Sequence, residues 1–379
     1  SQHNVCDQNL APKTITSPEY QGELAYAYHL NAAKFAELLA ENAVEKFNVK
    51  HVKANVTDVN LSENGDIESL ITDLMGTLAY DFYVDCSGFN SILLGQKLGV
   101  PFISKSDQLF VDRALVVQVP TEESEEIPPY TIATAHQAGW IWDIALSNRR
   151  GVGFVYSSKY LSDEEAERKL NNYLGKSNLS QHYRKINMQV GYRESFWQHN
   201  CVALGLAQGF LEPLEATSIL LTDLAANLLA ERFPHSLNDM PLLQKRFNQT
   251  MGYSWERVVE FIKLHYCISD REDSPFWLDN RKEESLSESL KERLSLWQQY
   301  VPVKDDFFSH FEVFHLENFL FVLYGMKFLT KVNEEASERS DSIDYHLKQL
   351  DGFSNYLADK LPKHRELLEK IKRYGLQQQ

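Results

Sequence analysis

The stretch NCVALGLAQGFLEPLEATSI, Asn200 to Ile219, is the most informative part of this chain. Its apolar opening, Cys201 to Leu204, reads as a buried strand that runs into Gly205. Gly209 and Pro213 punctuate the following turn, Glu212 and Glu215 add two carboxylates, and an apolar helix opens at Thr217. Glycines let a backbone approach a flat ligand closely, and the unpaired amides of a helix start favour an anion. The pattern therefore fits a loop holding a planar ligand and a small anion. By pattern alone a plain strand-loop-helix connection capped by Thr217 fits better.

Outward from this stretch the chain divides by character. Residues 1–21 are polar and aperiodic and read as a loop, and the apolar spacing from Leu30 to Val44 predicts an amphipathic helix. Strand signals follow at His51 to Leu61, Ile67 to Thr72 and Thr77 to Cys86, separated by Glu63-Asn64-Gly65 and Met75-Gly76 turns. Between Phe110 and Leu204 the strands expected are Ala114 to Val119, Gly139 to Leu146, Val152 to Tyr156 and Cys201 to Leu204, with one helix from Asp163 to Leu174. After Pro213 helical periodicity dominates, at Ser218 to Phe233, Leu242 to Tyr266, Leu286 to Trp297, Leu316 to Leu329 and Tyr345 to Ile371. The fold class expected is mixed α/β in three parts: 1–108, a sheet layer at 109–204, and the loop plus a mainly helical part at 205–379.

Composition narrows the function. A chain of 379 residues with 43% hydrophobic and 12% aromatic content can bury a large core. Its net charge of -15 repels phosphate backbones and anionic membranes, so neither nucleic acid nor a membrane is an expected partner. Cys6, Cys86, Cys201 and Cys267 form no CxxC pair and read as reduced, mostly buried thiols of a cytoplasmic protein. His29, His51, His136 and His265 show no metal-site spacing, and no metal is expected.

Gly205 to Ile219 resembles the GLxxGFxEPLExTxI segment of flavin-dependent tryptophan halogenases. Ala138 to Leu146, AGWIWDIAL, resembles their GWxWxIP signature, with Ala145 in place of the proline. YAYHLNAAKFAELLA at Tyr26 to Ala40, YDFYVDCSGF at Tyr80 to Phe89, Arg149 to Asp163 and Leu264 to Trp277 extend the likeness over most of residues 20–330. The resemblance implies an FAD-dependent monooxygenase or halogenase-like fold and an FADH2-dependent halogenase, with FAD reduced by a separate flavin reductase and chloride or bromide as substrate ion. By it Glu215 is the catalytic carboxylate, and the amides of Thr217 and Ser218 hold the halide, although the family often has Gly at the latter position. The same resemblance places Gly205, Leu206, Gly209, Pro213 and Ile219 along the cofactor, with Trp140 and Trp142 walling the flavin. Those two tryptophans alternate on one strand face, so a core stripe is an equally open reading. Asp85, Ser87 and Gly88 stand near the cofactor or form a structural turn. Phe319 takes the place of a family tryptophan that helps shape the indole pocket, which points to indole or another aromatic as substrate.

None of the 17 glycines forms GxGxxG, and no lysine matches the family's catalytic one. The chain is expected to be a fragment, inactive alone, that holds half of the catalytic pair. Two alternatives stay open: a flavin monooxygenase, opposed by Leu206 where such enzymes place an Asp, and a non-catalytic relative. A homodimer is expected only because closed dimers are common among soluble oligomers.

Overall fold

The computed structural model describes residues 1–175, 183–331 and 340–376. The first third carries α1 (Gln2–Asp7), α2 (Ala32–Phe47), β1 (Val56–Leu61), β2 (Ile67–Thr72), β3 (Gly76–Leu78), β4 (Tyr83–Asp85) and β5 (Phe102–Ser104). The middle adds β6 (Arg113–Pro120), β7 (Ile132–His136), β8 (Gly139–Ala145), β9 (Arg149–Tyr156), α3 (Asp163–Tyr173), β10 (Arg184–Asn187), β11 (Gly191–Arg193), β12 (Trp197–Gln198), β13 (Cys201–Ala203) and β14 (Gly209–Phe210). Among the described residues, the regular elements after β14 are helices, α4 (Thr217–Glu231), α5 (Met240–Cys267), α6 (Pro275–Asn280), α7 (Glu288–Gln299), α8 (Leu316–Gly325), α9 (Ser340–Lys360) and α10 (His364–Tyr374), joined by loops and short 3-10 turns. The mixed α/β class holds.

The main sheet is antiparallel in the order β10-β6-β9-β8-β7. One face carries Leu115, Ile141 and Phe154, all 1% exposed or less, on the side of α3, where Tyr156 and Asp143 of the same face hydrogen-bond with Asp163 and Tyr173. The other face turns Trp140 to Glu212, which also meets Tyr266 of α5. Burying each such side chain contributes about 1.5–3 kcal/mol, and residues of both faces join one large apolar cluster. Two smaller sheets cross the divisions expected at 108 and 204: β5 and β14 both pair with β11, and β4 pairs with β13. The β4–β13 pairing is parallel, so both strands end on one edge.

Several sequence expectations are corrected. Residues 1–21 contain α1, and Val5 and Leu10 bury against Leu357 and Leu361 of the carboxy-terminal segment. Thr77 to Cys86 is two strands in two sheets, β3 and β4, rather than one. Tyr345 to Ile371 breaks at Pro362, whose ring removes a backbone donor and disfavours helix at the preceding residue. Helix α2 forms where expected, capped by Asn31 accepting from the Lys34 amide at 3.4 Å and closed by left-handed Asn48, yet none of its residues is buried. Of the four thiols only Cys201 is fully buried, and Cys86 is exposed.

Candidate active site

The site is built where β4 and β13 end together. Asp85 lies opposite Ala203, and the Leu204 amide donates to the Asp85 carbonyl at 3.0 Å. The Asp85 carboxylate accepts from the amides of Ser87, Leu93 and Leu94 at 2.9–3.0 Å. It thereby holds the π-helical turn Ile92–Lys97 in place. Gly88 and Gly205 follow the two strand ends with φ of +72° and +62°, the left-handed region that favours glycine. A Cβ on Gly88 would meet nothing within 4 Å, so that turn faces open space.

Beyond β14 the chain enters the turn that presents Glu215. Glu215 and Ala216 are successive non-glycine residues with φ of 65° and 53°. Such conformations cost on the order of 1 kcal/mol each and persist where surrounding contacts impose them. Here the contacts are specific. Glu215 Oε1 lies 3.0 Å from His265 Nε2, and His265 Nδ1 lies 2.8 Å from the Phe261 carbonyl. A carbonyl only accepts, so Nδ1 carries a hydrogen and donates it. The 3.0 Å approach of Nε2 to a carboxyl oxygen then requires a proton between them, because two lone pairs facing each other repel. Glu215 and His265 together form a proton-sharing pair at the start of α4, whose first-turn amides have no intrahelical partner.

Three residues earlier, Glu212 is 2% exposed, and its Oε2 accepts from the Trp140 indole at 2.8 Å and the Tyr266 hydroxyl at 2.7 Å. Burial pushes this carboxyl up to about 7, against the opposing effect of those two hydrogen bonds. Trp140, Leu214, His265, Tyr266, Arg271 and Trp277 border a cavity of about 470 Å³ beside the turn. Its wall sets the rings of Trp140, Tyr266 and Trp277 among small apolar residues and the charged Asp270, Arg271 and Lys327, with the Arg271 guanidinium 5.2 Å from the Trp277 ring centre.

Thr217 and Ser218 sit in the first turn of α4, Thr217 buried and Ser218 half-buried. Leu206 and Pro213 are half-buried on either side of the turn, and Ile219 is 69% exposed. Gly209 is buried in β14, where a Cβ would lie 2.5 Å from the Gly191 carbonyl oxygen, so strand pairing demands glycine there. Trp140 is a core residue, while Trp142 is half-buried with its ring over Gly153 of β9. Phe319 does not border the cavity. It is 2% exposed, with ring centres of Phe261, Phe307 and Trp297 at 4.8, 4.9 and 5.3 Å, because α8 turns that side chain into the helical core.

His265, Tyr266 and the buried role of Glu212 were not assigned from sequence. The signal was present, since His265 and Tyr266 fall inside the Leu264 to Trp277 run that carried the resemblance. Spacing alone does not show that α5 folds back over the turn 50 residues earlier.

A family model described as tryptophan halogenase matches residues 1–342. Tryptophan 6-halogenase SttH of Streptomyces toxytricini is 38% identical over 317 residues, 83% of this chain and 60% of the relative. The 7-chloro-L-tryptophan 6-halogenase KtzR of Kutzneria sp. is 34% identical over 366 residues, covering 96% of this chain and 70% of the relative. The crystal structure of a tryptophan halogenase from Shewanella frigidimarina superimposes with a TM-score of 0.94 at 38% identity, covering all of this chain and 73% of that one. The chain thus spans roughly 60–70% of the length of the curated relatives it matches here, and on this match of sequence and fold it belongs to the tryptophan halogenase family.

Proposed function

We propose that the protein is an FADH2-dependent halogenase that chlorinates or brominates an electron-rich aromatic such as indole or tryptophan. The observation that carries this reading is Glu215, held on a left-handed turn directly before the free amides of α4 and sharing a proton with His265. The residues present fit the ring end of FAD and a halide. Gly88 leaves room for a flat ligand, and the α4 amides with the positive end of its dipole suit an anion. The chain's glycines form no GxGxxG loop for the phosphates.

When bound, FAD reduced by a separate flavin reductase supplies, with oxygen, the oxidising power that converts halide to hypohalous acid. The amides of Thr217 and Ser218 hold the halide before that step. The proton lost from the aromatic ring after attack passes to the Glu215 carboxylate, which His265 Nε2 holds in place from 3.0 Å. Trp140, Tyr266 and Trp277 give the cavity the apolar wall an indole-sized substrate needs and keep water from the electrophile.

The test supplies the full-length protein with FAD, a flavin reductase, NADH, oxygen and bromide, and offers indole and tryptophan. Brominated product is expected, and Glu215→Gln should lower its rate on the order of a hundred- to ten-thousand-fold. Hydroxylated product would show a monooxygenase instead. Undiminished bromination by Glu215→Gln would remove the role given to that carboxylate.

A further inference from the structure

The chemistry above leaves Glu212 unused, although it is the most buried carboxyl at the site. Its Oε2 takes two donors from two different layers, Trp140 of β8 and Tyr266 of α5, while its Oε1 is buried without a partner. Tyr266 adjoins His265, the partner of Glu215. Two carboxyls three residues apart on one turn are thus caught by two consecutive ring side chains of one helix. This double tie sits immediately before the left-handed Glu215 and Ala216, whose geometry needs outside contacts to persist.

An ionised carboxylate here would keep one charged oxygen away from water with no donor, which is far costlier than a neutral acid in the same place. The charged groups near it do not change that balance. Lys263 of α5 turns its Nζ to Asn280 Oδ1 at 2.8 Å and to the Phe110 ring, and His265 is engaged with Glu215. From β8 only the neutral indole of Trp140 reaches it, and Glu215 is the other acid on its own turn.

We propose that Glu212 is a positioning residue that works as a neutral carboxylic acid: by holding Trp140 and Tyr266 together it fixes the turn that presents Glu215, and its ionisation loosens that turn. The role rests on the halogenase reading for its kinetic consequence, but not for its structural one. Burial sets the Glu212 proton affinity near pH 7, against 4.5 for an ordinary Glu, so the folded chain holds more protons than the unfolded chain between those values. Stability from this group is complete below 4.5 and is lost as pH rises towards about 7.

The variant that decides the matter is Glu212→Gln, which keeps an acceptor oxygen for both donors and cannot ionise. In the full-length protein, wild-type kcat for bromination should fall as pH rises through about 7 with KM nearly constant, and the Gln variant should lose that decline. Tyr266→Phe, which removes one tie and keeps the ring, should lower kcat several-fold with little change in KM. A decline of the same size in Glu212→Gln, or full kcat in Tyr266→Phe, would overturn the proposal. A second measurement does not depend on turnover. In urea titrations the folding constant of the wild type should fall on the order of a hundred-fold relative to Glu212→Gln between pH 4.5 and about 7. Equal slopes would overturn the neutral-acid assignment even if no halogenated product forms. Absence of product with the expected slope would sink the functional reading and leave Glu212 as described.

Discussion

Replacing Gly153 with alanine tests whether the Trp142 ring is held in place by the bare backbone opposite it. Trp142 and Gly153 are cross-strand partners between β8 and β9, and an ideal Cβ at 153 falls inside the indole, overlapping Cζ2, Cη2 and Cε2. To recover normal carbon contacts of ~3.5–4.0 Å the ring must withdraw by roughly 1.5 Å. Forcing extra volume against a packed ring costs about 1–3 kcal/mol. The backbone at 153 is not in the left-handed region, so alanine is otherwise acceptable there and, by limiting the unfolded chain, contributes about 0.4–1 kcal/mol of stability. The sign of the effect therefore depends on the ring.

In the wild-type background Gly153→Ala should destabilise by up to about 2.5 kcal/mol net, lowering Tm by up to about 3 °C for a chain this long. In a Trp142→Ala background the same change should be neutral or slightly stabilising. The coupling between the two sites, measured by urea unfolding of all four proteins, should be about 1–3 kcal/mol, since the chain-entropy gain of alanine is common to both backgrounds and cancels. Titration of the same proteins with FAD, followed by flavin fluorescence, asks whether the displaced ring bears on the cofactor as the GWxWxIP resemblance implies. If Gly153→Ala costs as much without the indole as with it, the ring is not what the new methyl meets, and the account of β8 is wrong.

Two further perturbations probe the buried charge and the tie between the chain's two ends. Lys263 is 1% exposed, and burial lowers its proton affinity from 10.5 to about 8, so the folded chain binds fewer protons than the unfolded chain in that window. Wild-type stability should rise by about 3 kcal/mol from this group between those pH values, and Lys263→Met should lack the rise; parallel urea curves for the two proteins would refute it. Near pH 7 the same variant removes a buried ammonium, offset by about 1–3 kcal/mol for leaving Asn280 Oδ1 without its donor. Leu357 is fully buried in a small cluster with Val5, Leu10 and Leu361. Leu357→Ala should cost about 2–5 kcal/mol locally and expose residues 1–11 and 340–376 to limited proteolysis before the sheet core is cut.

What could be read beforehand depended on whether the signal was local. The strand at Ile67 to Thr72, the helix from Asp163 and the long helix around Val258 follow from period and caps, because alternation and 3.6-residue spacing are properties of neighbouring side chains. The break at Pro362 is equally local, since a proline ends a helix whatever the apolar spacing around it. The splitting of Thr77 to Cys86 between two sheets was not local, since β4 is recruited by β13, more than 100 residues later.

The site divides in the same way. The sequence by itself determined that Glu212, Glu215 and the opening of α4 lie on one glycine-bounded turn, because those residues are neighbours in the chain. Only the tertiary structure decided that Glu215 meets His265, that Glu212 is sealed under Trp140 and Tyr266, and that Phe319 belongs to the core. Each of those facts depends on which face of α5 or α8 turns inward. Burial then changes the chemistry: three residues apart, one carboxyl is drawn up to about 7 by loss of water while the other stands at the surface opposite an imidazole.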